Sequence, residues 1–270
     1  MSEVLAEARR QLHASHTASL DAQLLLGHVL DKPRSWILAH PDAGLDTDTY
    51  GSFAALVARR VEGVPVAYLR GWVEWFGLRL EVTPDVLVPR PETELLVEHA
   101  AEIAESRGAR VLVDIGTGSG AIAIALARLL PAARVIATDV SSAALKVASR
   151  NVRRLSPDRV ALYETSLLQA LPEKPDLIVA NLPYLSDRMM RELDRDVRHE
   201  PPPALYGGPT GLELYERLIA QAERQETRPS AVFEIDPRQA ERARQLWGNR
   251  GLRLLDDYSG RPRIAILETS

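Results

Sequence analysis

The apolar run Val111-Leu-Val-Asp-Ile115 empties directly into Gly116-Thr-Gly-Ser-Gly120, and the aliphatic stretch Ala121 to Leu130 follows without a gap. A buried strand, a glycine turn and a helix in that order open a parallel α/β layer, because parallel neighbours must be joined by a crossover. The alternation then continues. Val135 to Asp139 reads as a second strand and Ser142 to Leu155 as a second helix, with Ser141 or Ser142 as its N-cap. Further strands are predicted at Val160 to Tyr163, Leu177 to Asn181, Ala231 to Ile235, Leu252 to Leu255 and Arg263 to Leu267. The expected fold class is α/β, a mostly parallel sheet covered on both faces by helices.

The preceding residues follow other periods. Val4, Leu5, Ala8 and Leu12, then Leu20, Leu24, Leu25, His28 and Val29, then Phe53, Leu56, Val57 and Val61 recur at helical spacing, punctuated by Pro33, Pro41 and Gly63. Between Trp72 and Val88 apolar residues flank Gly77 as in a hairpin, with Pro84-Asp85 as a turn. The expected organisation is a small helical bundle over residues 1–71, a hairpin connector over 72–90 and an α/β domain over 91–270.

Composition excludes several functions. A net charge of -4 gives no global basic field toward nucleic acid or an anionic membrane. Cysteine is absent, which removes disulfides, thiolate metal ligands and a cysteine nucleophile together. No window approaches the roughly 18 apolar residues of a membrane helix, so a cytoplasmic location is expected. His13 and His16 share a helical face but lack a third ligand nearby, and no metal site is expected.

In an open parallel sheet the ligand sits beyond the carboxyl ends of the strands, where the first strand-to-helix turn meets it. Gly116, Gly118 and Gly120 let the backbone of that turn, with Thr117 and Ser119, pass close to a ligand. The spacing is G-x-G-x-G, whereas the dinucleotide fingerprint is G-x-G-x-x-G. This favours S-adenosylmethionine over NAD, since it has no pyrophosphate to seat. Asp139, at the end of the second strand, can accept from both ribose hydroxyls, or alternatively cap the following helix. Asp114 either orders the glycine loop or meets the methionine amino group of the cofactor.

Asn181-Leu-Pro-Tyr184 follows the fourth strand. An amide or ring-conjugated nitrogen is a poor nucleophile, and no side chain simply deprotonates it near neutral pH. A site that accepts one N–H on the Asn181 oxygen and the other on the Leu182 carbonyl would aim the lone pair at an activated methyl group. Pro183 would fix that backbone and Tyr184 would cover the flat substrate group. The competing reading is a plain turn with Tyr184 packed on the core.

With these residues the chain resembles the PrmC/HemK family, the peptide chain release factor N5-glutamine methyltransferases. The family's glycine loop corresponds to Asp114 through Gly120 and its Asn-Pro-Pro-Tyr motif to Asn181 through Tyr184. More specific is Val86-Leu-Val-Pro-Arg-Pro-Glu-Thr-Glu94, which looks like the family's signature ahead of the catalytic domain. Glu200-Pro201 through Ala204-Leu205, Gly207-Gly208, Gly211-Leu212 and Asp257-Tyr-Ser-Gly-Arg-Pro-Arg263 match further family segments. The resemblance implies a Rossmann-like class I methyltransferase sheet with an antiparallel last strand. It also implies methylation of the glutamine amide in the Gly-Gly-Gln loop of bacterial class 1 release factors, yielding S-adenosylhomocysteine. Residues 1–71 would dock the substrate, release factors 1 and 2, and Ser166 and Leu167 would contact adenine. A monomer with no direct nucleic-acid or membrane contact is expected. Three positions depart from the family. Leu182 replaces the family's first proline, Thr165-Ser-Leu-Leu168 stands where members often have an Asp followed by an aromatic, and Asp236 stands where they often have glycine.

The main alternative is a methyltransferase for an exocyclic base amine, adenine N6 or guanine N2, which poses the same lone-pair problem. It would need a basic groove, for which Arg59-Arg60 or Arg150 with Arg153-Arg154 are the candidates. A non-catalytic adenosylmethionine-binding scaffold and an NAD dehydrogenase are weaker options. Arg90, Glu92 and Glu94 are expected to serve structure rather than chemistry.

Overall fold

A computed structural model describes residues 1–156, 158–225 and 228–268. The chain divides into two compact units, Met1–Trp72 with Asp194–His199, and Val73–Leu193 with Glu200–Ser270.

The smaller unit holds α1 (Ser2–Gln11), α2 (Ala18–Leu30), α3 (Arg34–Ala39), α4 (Thr47–Val61) and α5 (Val66–Arg70). Pro33 and Pro65 precede the two short helices, where a proline's fixed φ starts a helix without costing a bond. Leu12, Leu25, Leu26, Ile37, Phe53 and Val57 form its core. Arg60 is buried in this unit, with Nε 2.7 Å from Asp21 and Nη2 2.6 Å from Asp196. The pairing ties the 194–199 segment to the helices, and it removes Arg60 from any basic surface patch.

The larger unit takes in most of the hairpin of β1 (Trp72–Trp75) and β2 (Leu78–Glu81). Phe76 and Gly77 join the strands at φ 50° and 66°, the left-handed two-residue turn that matches strand twist. Trp75, Leu78 and Leu80 pack in the same apolar cluster as the main sheet, so the segment expected to be a connector is part of this unit's core. Next come α6 (Thr93–Arg107), β3 (Val111–Ile115), α7 (Ala121–Leu129), β4 (Arg134–Asp139), α8 (Ser142–Leu155), β5 (Val160–Glu164) and β6 (Leu177–Ala180). The chain continues through α9 (Asp187–Arg191), α10 (Glu213–Glu223), β7 (Ser230–Glu234), α11 (Ala240–Trp247), β8 (Leu252–Asp256) and β9 (Pro262–Leu267). Each of the seven expected sheet strands is present. Ser141 caps α8, accepting from Ala144 N at 3.2 Å. Sequence periodicity left α6 and α10 unassigned; in α6, Glu98, Glu102 and Glu105 face out while Leu96, Ala100 and Ile103 are buried.

The strand order is β5-β4-β3-β6-β7-β9-β8, with β3, β4, β5, β6 and β7 parallel and β9 antiparallel to both neighbours. The chain runs outward from β3 to β4 and β5, then returns to β6 on the other side of β3. That reversal opens a crevice beyond the carboxyl ends of β3 and β6, where Gly116 and Asn181 stand. Among the described residues no helix is long and apolar enough to cross a membrane.

Candidate active site

The glycine loop is held from below. Gly116 N and Thr117 N each donate to Thr138 O at 2.8 Å. Asp114 is wholly buried, and its Oδ2 accepts from Thr117 Oγ1 at 2.6 Å and from Ala123 N at 3.2 Å. Burial, reinforced by the charge of Asp139, pushes the Asp114 carboxyl up to about 7. Asp114 does not line the cavity, so of its two expected roles the structure places it in loop ordering. Gly116, Gly118 and Gly120 have φ of 73°, 54° and 83°, values that disfavour any side chain. Asn151, fully buried on α8, donates from Nδ2 to Ser119 O and to Glu81 O, both at 2.9 Å, and so staples this loop to the hairpin.

Beyond the loop lies a cavity of about 230 Å³, lined by Gly116 to Ser119, Asp139, Val140, Ser166, Leu167 and Asn181 to Pro183, among others. Asp139 accepts from Gly118 N and Ser141 N, each at 2.9 Å, and burial raises its carboxyl above the usual range. Leu167 adopts φ 54°, an uncommon conformation for a branched residue, and is buried between the cavity and the core.

Three element ends meet at Asn181: the carboxyl ends of β6 and β7 and the amino end of α6. Thr93 Oγ1 donates to Glu234 Oε2 at 2.7 Å, and Asn181 Nδ2 donates to Thr93 Oγ1 at 3.1 Å. Asn181 Oδ1 accepts from no described residue, and Asn181 lines the cavity. Leu182 N donates to Tyr215 OH at 2.9 Å, while that hydroxyl lies 2.7 Å from Glu234 O and 3.3 Å from Leu182 O. A phenol carries one proton, and the shorter contact takes it, which leaves the Leu182 carbonyl able to accept. The side chain of Leu182 packs over the loop, with Cδ2 3.1 Å from where a Cβ on Gly116 would stand. The leucine thus sits in place of the family proline with its backbone held by Tyr215.

The 205–213 segment clamps the same turn from outside. Leu185 N donates to Leu205 O at 2.9 Å and Gly207 N to Leu185 O at 3.0 Å. A Cβ on Gly207 would stand 2.3 Å from Pro183 O, and one on Gly211 2.2 Å from Tyr184 O, so both glycines are required for that approach. Gln239 Nε2 donates to Tyr184 O at 2.8 Å and Thr210 O at 3.2 Å. Asp236, where the family often has glycine, has φ -72° and caps the turn bearing Gln239, so no left-handed backbone is needed there. Tyr184 does not line the cavity; its hydroxyl points to Glu234 Oε1 at 3.4 Å. Burial and the neighbouring Glu234 push its phenol well above the ordinary range, so it stays protonated.

Sequence reasoning therefore brings together Gly116, Thr117, Gly118, Ser119, Asp139, Ser166, Leu167, Asn181, Leu182 and Pro183 around one cavity. Gly120 stands one step back, against Ala148 and Ile124. Thr93, Tyr215 and Glu234 were missed. Thr93 lay inside the signature segment, but as a helix start it gave no chemical cue, and Tyr215 and Glu234 become site residues only through pairings distant in sequence. Arg90 pairs with Glu200 at 2.6 Å, and Glu94 accepts from Phe76 N at 2.8 Å, both structural roles. Arg150 pairs with Glu81, and Arg154 donates to the Arg79 carbonyl, which spends two of the cations a nucleic-acid groove would need.

The donor set fits adenosylmethionine. It offers the Asp139 carboxylate for vicinal hydroxyls, with Asp85 also on the rim, apolar walls in Val140 and Leu167, and open space at Gly118, where an added Cβ would meet nothing within 4 Å. No Lys or Arg lines the cavity among the described residues, which does not suit a pyrophosphate. Residues 3–71 match the PrmC N-terminal domain and residues 91–199 the methyltransferase small domain. Among solved structures the chain is similar to a ribosomal protein L11 methylase from Lactobacillus delbrueckii subsp. bulgaricus. The TM-score is 0.50 at 25% identity, covering 69% of this chain and 83% of that one. The hMettl16 catalytic domain, solved with MAT2A 3'UTR hairpin 6, shares the fold with a TM-score of 0.59 at 17% identity, covering 79% and 81%. A release factor glutamine methyltransferase of Bordetella pertussis is 40% identical over 91% of this chain and 93% of its own. That of Moorella thermoacetica is 40% identical over 97% and 96%. An amide-presenting turn beside a glycine-loop cavity, carried on a chain alike from end to end, shows that this protein belongs to the release factor glutamine methyltransferase family.

Proposed function

We propose that this chain transfers a methyl group from S-adenosylmethionine to the side-chain amide nitrogen of the glutamine in the Gly-Gly-Gln loop of bacterial class 1 release factors. Release factors 1 and 2 are the substrates, the helical unit docks them, and the enzyme works as a cytoplasmic monomer. The observation that carries this reading is the Asn181 side chain, which lines the cavity, tied by Nδ2 to Thr93 with Oδ1 taken by no described residue. When bound, adenosylmethionine supplies a methyl group activated on a sulfonium sulfur.

The protein's part is position. Asn181 Oδ1 accepts one N–H of the target amide and Leu182 O accepts the other, so both hydrogens are directed away from the methyl group and the nitrogen lone pair toward it. Fixed dipoles of this kind stabilise the positive charge that grows on nitrogen as the new bond forms, and the resulting N-methylated amide, then strongly acidic, releases one N–H proton to water. Asp139 accepts from the ribose hydroxyls, and the glycine loop gives the cofactor room. Ser166 and Leu167 line the side assigned to adenine. Tyr184, buried and protonated, supports the turn and takes no proton.

The exocyclic-amine reading is weakened by the pairing of Arg60 with Asp21 and Asp196 and of Arg150 with Glu81. Incubating the chain and adenosylmethionine with release factor, rRNA or DNA separates the two. A single added methyl on the Gly-Gly-Gln glutamine, read by peptide mass spectrometry, is the expected result; transfer to nucleic acid alone refutes the proposal.

A further inference from the structure

The Thr93 hydroxyl has one proton and places it on Glu234 Oε2 at 2.7 Å. Toward Asn181 it can then only accept, which forces the Nδ2 end of the carboxamide to face it at 3.1 Å. We propose that Glu234, acting through Thr93, is a positioning residue that selects which end of the Asn181 amide meets the substrate. This deepens the methyl-transfer reading and rests on Asn181 Oδ1 being the amide acceptor. Without an acceptor at 234, the Thr93 proton is free to turn to Asn181. The carboxamide then flips, Oδ1 accepts from Thr93, and an NH₂ group confronts the substrate NH₂.

The surroundings support this assignment. Glu234 is 1% exposed and ends β7, while Asn181 directly follows the end of β6, the neighbouring strand in the sheet. Its second oxygen, Oε1, accepts from Tyr184 OH at 3.4 Å. One buried side chain therefore tethers both polar members of the Asn-Leu-Pro-Tyr turn, one through Thr93 and one directly. Burial raises the Glu234 carboxyl above its usual range, and Arg263, which pairs with Asp257 at 3.5 Å, is the neighbouring cation that offsets part of that rise. A buried polar chain of this kind is rigid only while every member is satisfied.

The test uses the full chain with adenosylmethionine and a release factor, measuring kcat, KM for the release factor and adenosylmethionine Kd by calorimetry. T93V and E234M each remove one link, and each is expected to lower kcat tenfold or more with Kd changed less than threefold. T93S and E234Q keep a hydroxyl donor and an oxygen acceptor, and each is expected to restore most of that loss. The double variant T93V/E234M is expected to be no worse than the poorer single one, since both break the same chain. Wild-type kcat in T93V, or losses that multiply in the double variant, overturns the proposal. Should E234M not fold, T93V against T93S decides alone, with the unchanged Kd as the folding control. If N181A also keeps full kcat, the acceptor reading itself has failed rather than the relay.

Discussion

Replacing Tyr215 by Phe removes one oxygen and leaves the aromatic core intact, because the ring stacks on Phe233 with centroids 4.8 Å apart and meets Trp247 edge-on at 6.4 Å. That oxygen accepts from Leu182 N at 2.9 Å and donates to Glu234 O at 2.7 Å, in a place with no solvent access. Y215F thus strands a buried N–H and deprives a buried carbonyl of one partner. A stranded buried donor costs about 1–3 kcal/mol, and a carbonyl with a second lone pair costs less. The sum is about 2 kcal/mol, or roughly a 30-fold shift in an equilibrium constant. Urea denaturation followed by circular dichroism should show the larger unit destabilised by about that amount. Hydrogen exchange should show the Leu182 amide losing protection beyond the global effect. A loss of protection spread evenly over the unit, or a stability change below about 0.5 kcal/mol, would refute the assignment of this hydroxyl as the support of the Leu182 backbone.

Three other substitutions probe separate parts of the account. D139N leaves one acceptor oxygen where two now serve Gly118 and Ser141 and, in the proposed cofactor site, would serve the ribose, so adenosylmethionine Kd should rise about 10- to 100-fold in calorimetry; an unchanged Kd removes Asp139 from the cofactor site. G207A places a Cβ 2.3 Å from Pro183 O, a backbone atom that cannot yield cheaply, and should abolish turnover and lower stability by several kcal/mol, or about 3; normal turnover would show that the clamp on the turn is dispensable. Burial and then the Asp139 charge raise the Asp114 carboxyl to about 7, above its unfolded value of about 3.9. The native state then holds the proton more tightly, so this contribution to stability is complete below about pH 3.9 and is lost as pH rises through about 7. D114N imitates the neutral acid and should match the wild type near pH 4 and exceed it near pH 8 in denaturant titrations; a difference independent of pH would contradict the raised value.

Much of the architecture was legible because strand and helix periods are local. Val111 to Ile115 is a continuous apolar run, Ala121 to Leu129 buries nearly all of its residues, and the glycines between them permit one kind of turn. Asn181 was legible for a similar reason, as the first polar residue after Leu177–Ala180. What sequence withheld depends on long-range pairing. Glu234 reads as the end of a strand until Thr93, 141 positions away, is seen to donate to it. Arg60 reads as half of an exposed dibasic pair until Asp21 and Asp196 close on it. The paired glycines Gly207 and Gly211 announce a turn, but only the Pro183 and Tyr184 carbonyls beneath them explain why no side chain is tolerated.

The central claim is that two oxygens, Asn181 Oδ1 and Leu182 O, orient an amide nitrogen for methyl transfer. N181A removes the first while leaving the rest of the cavity lining in place. Single-turnover methylation of a release factor by this variant, with adenosylmethionine Kd measured on the same preparation, is the direct test. The account predicts a rate lowered about 100-fold or more with Kd within about fivefold of wild type. A wild-type rate at normal cofactor affinity would contradict it.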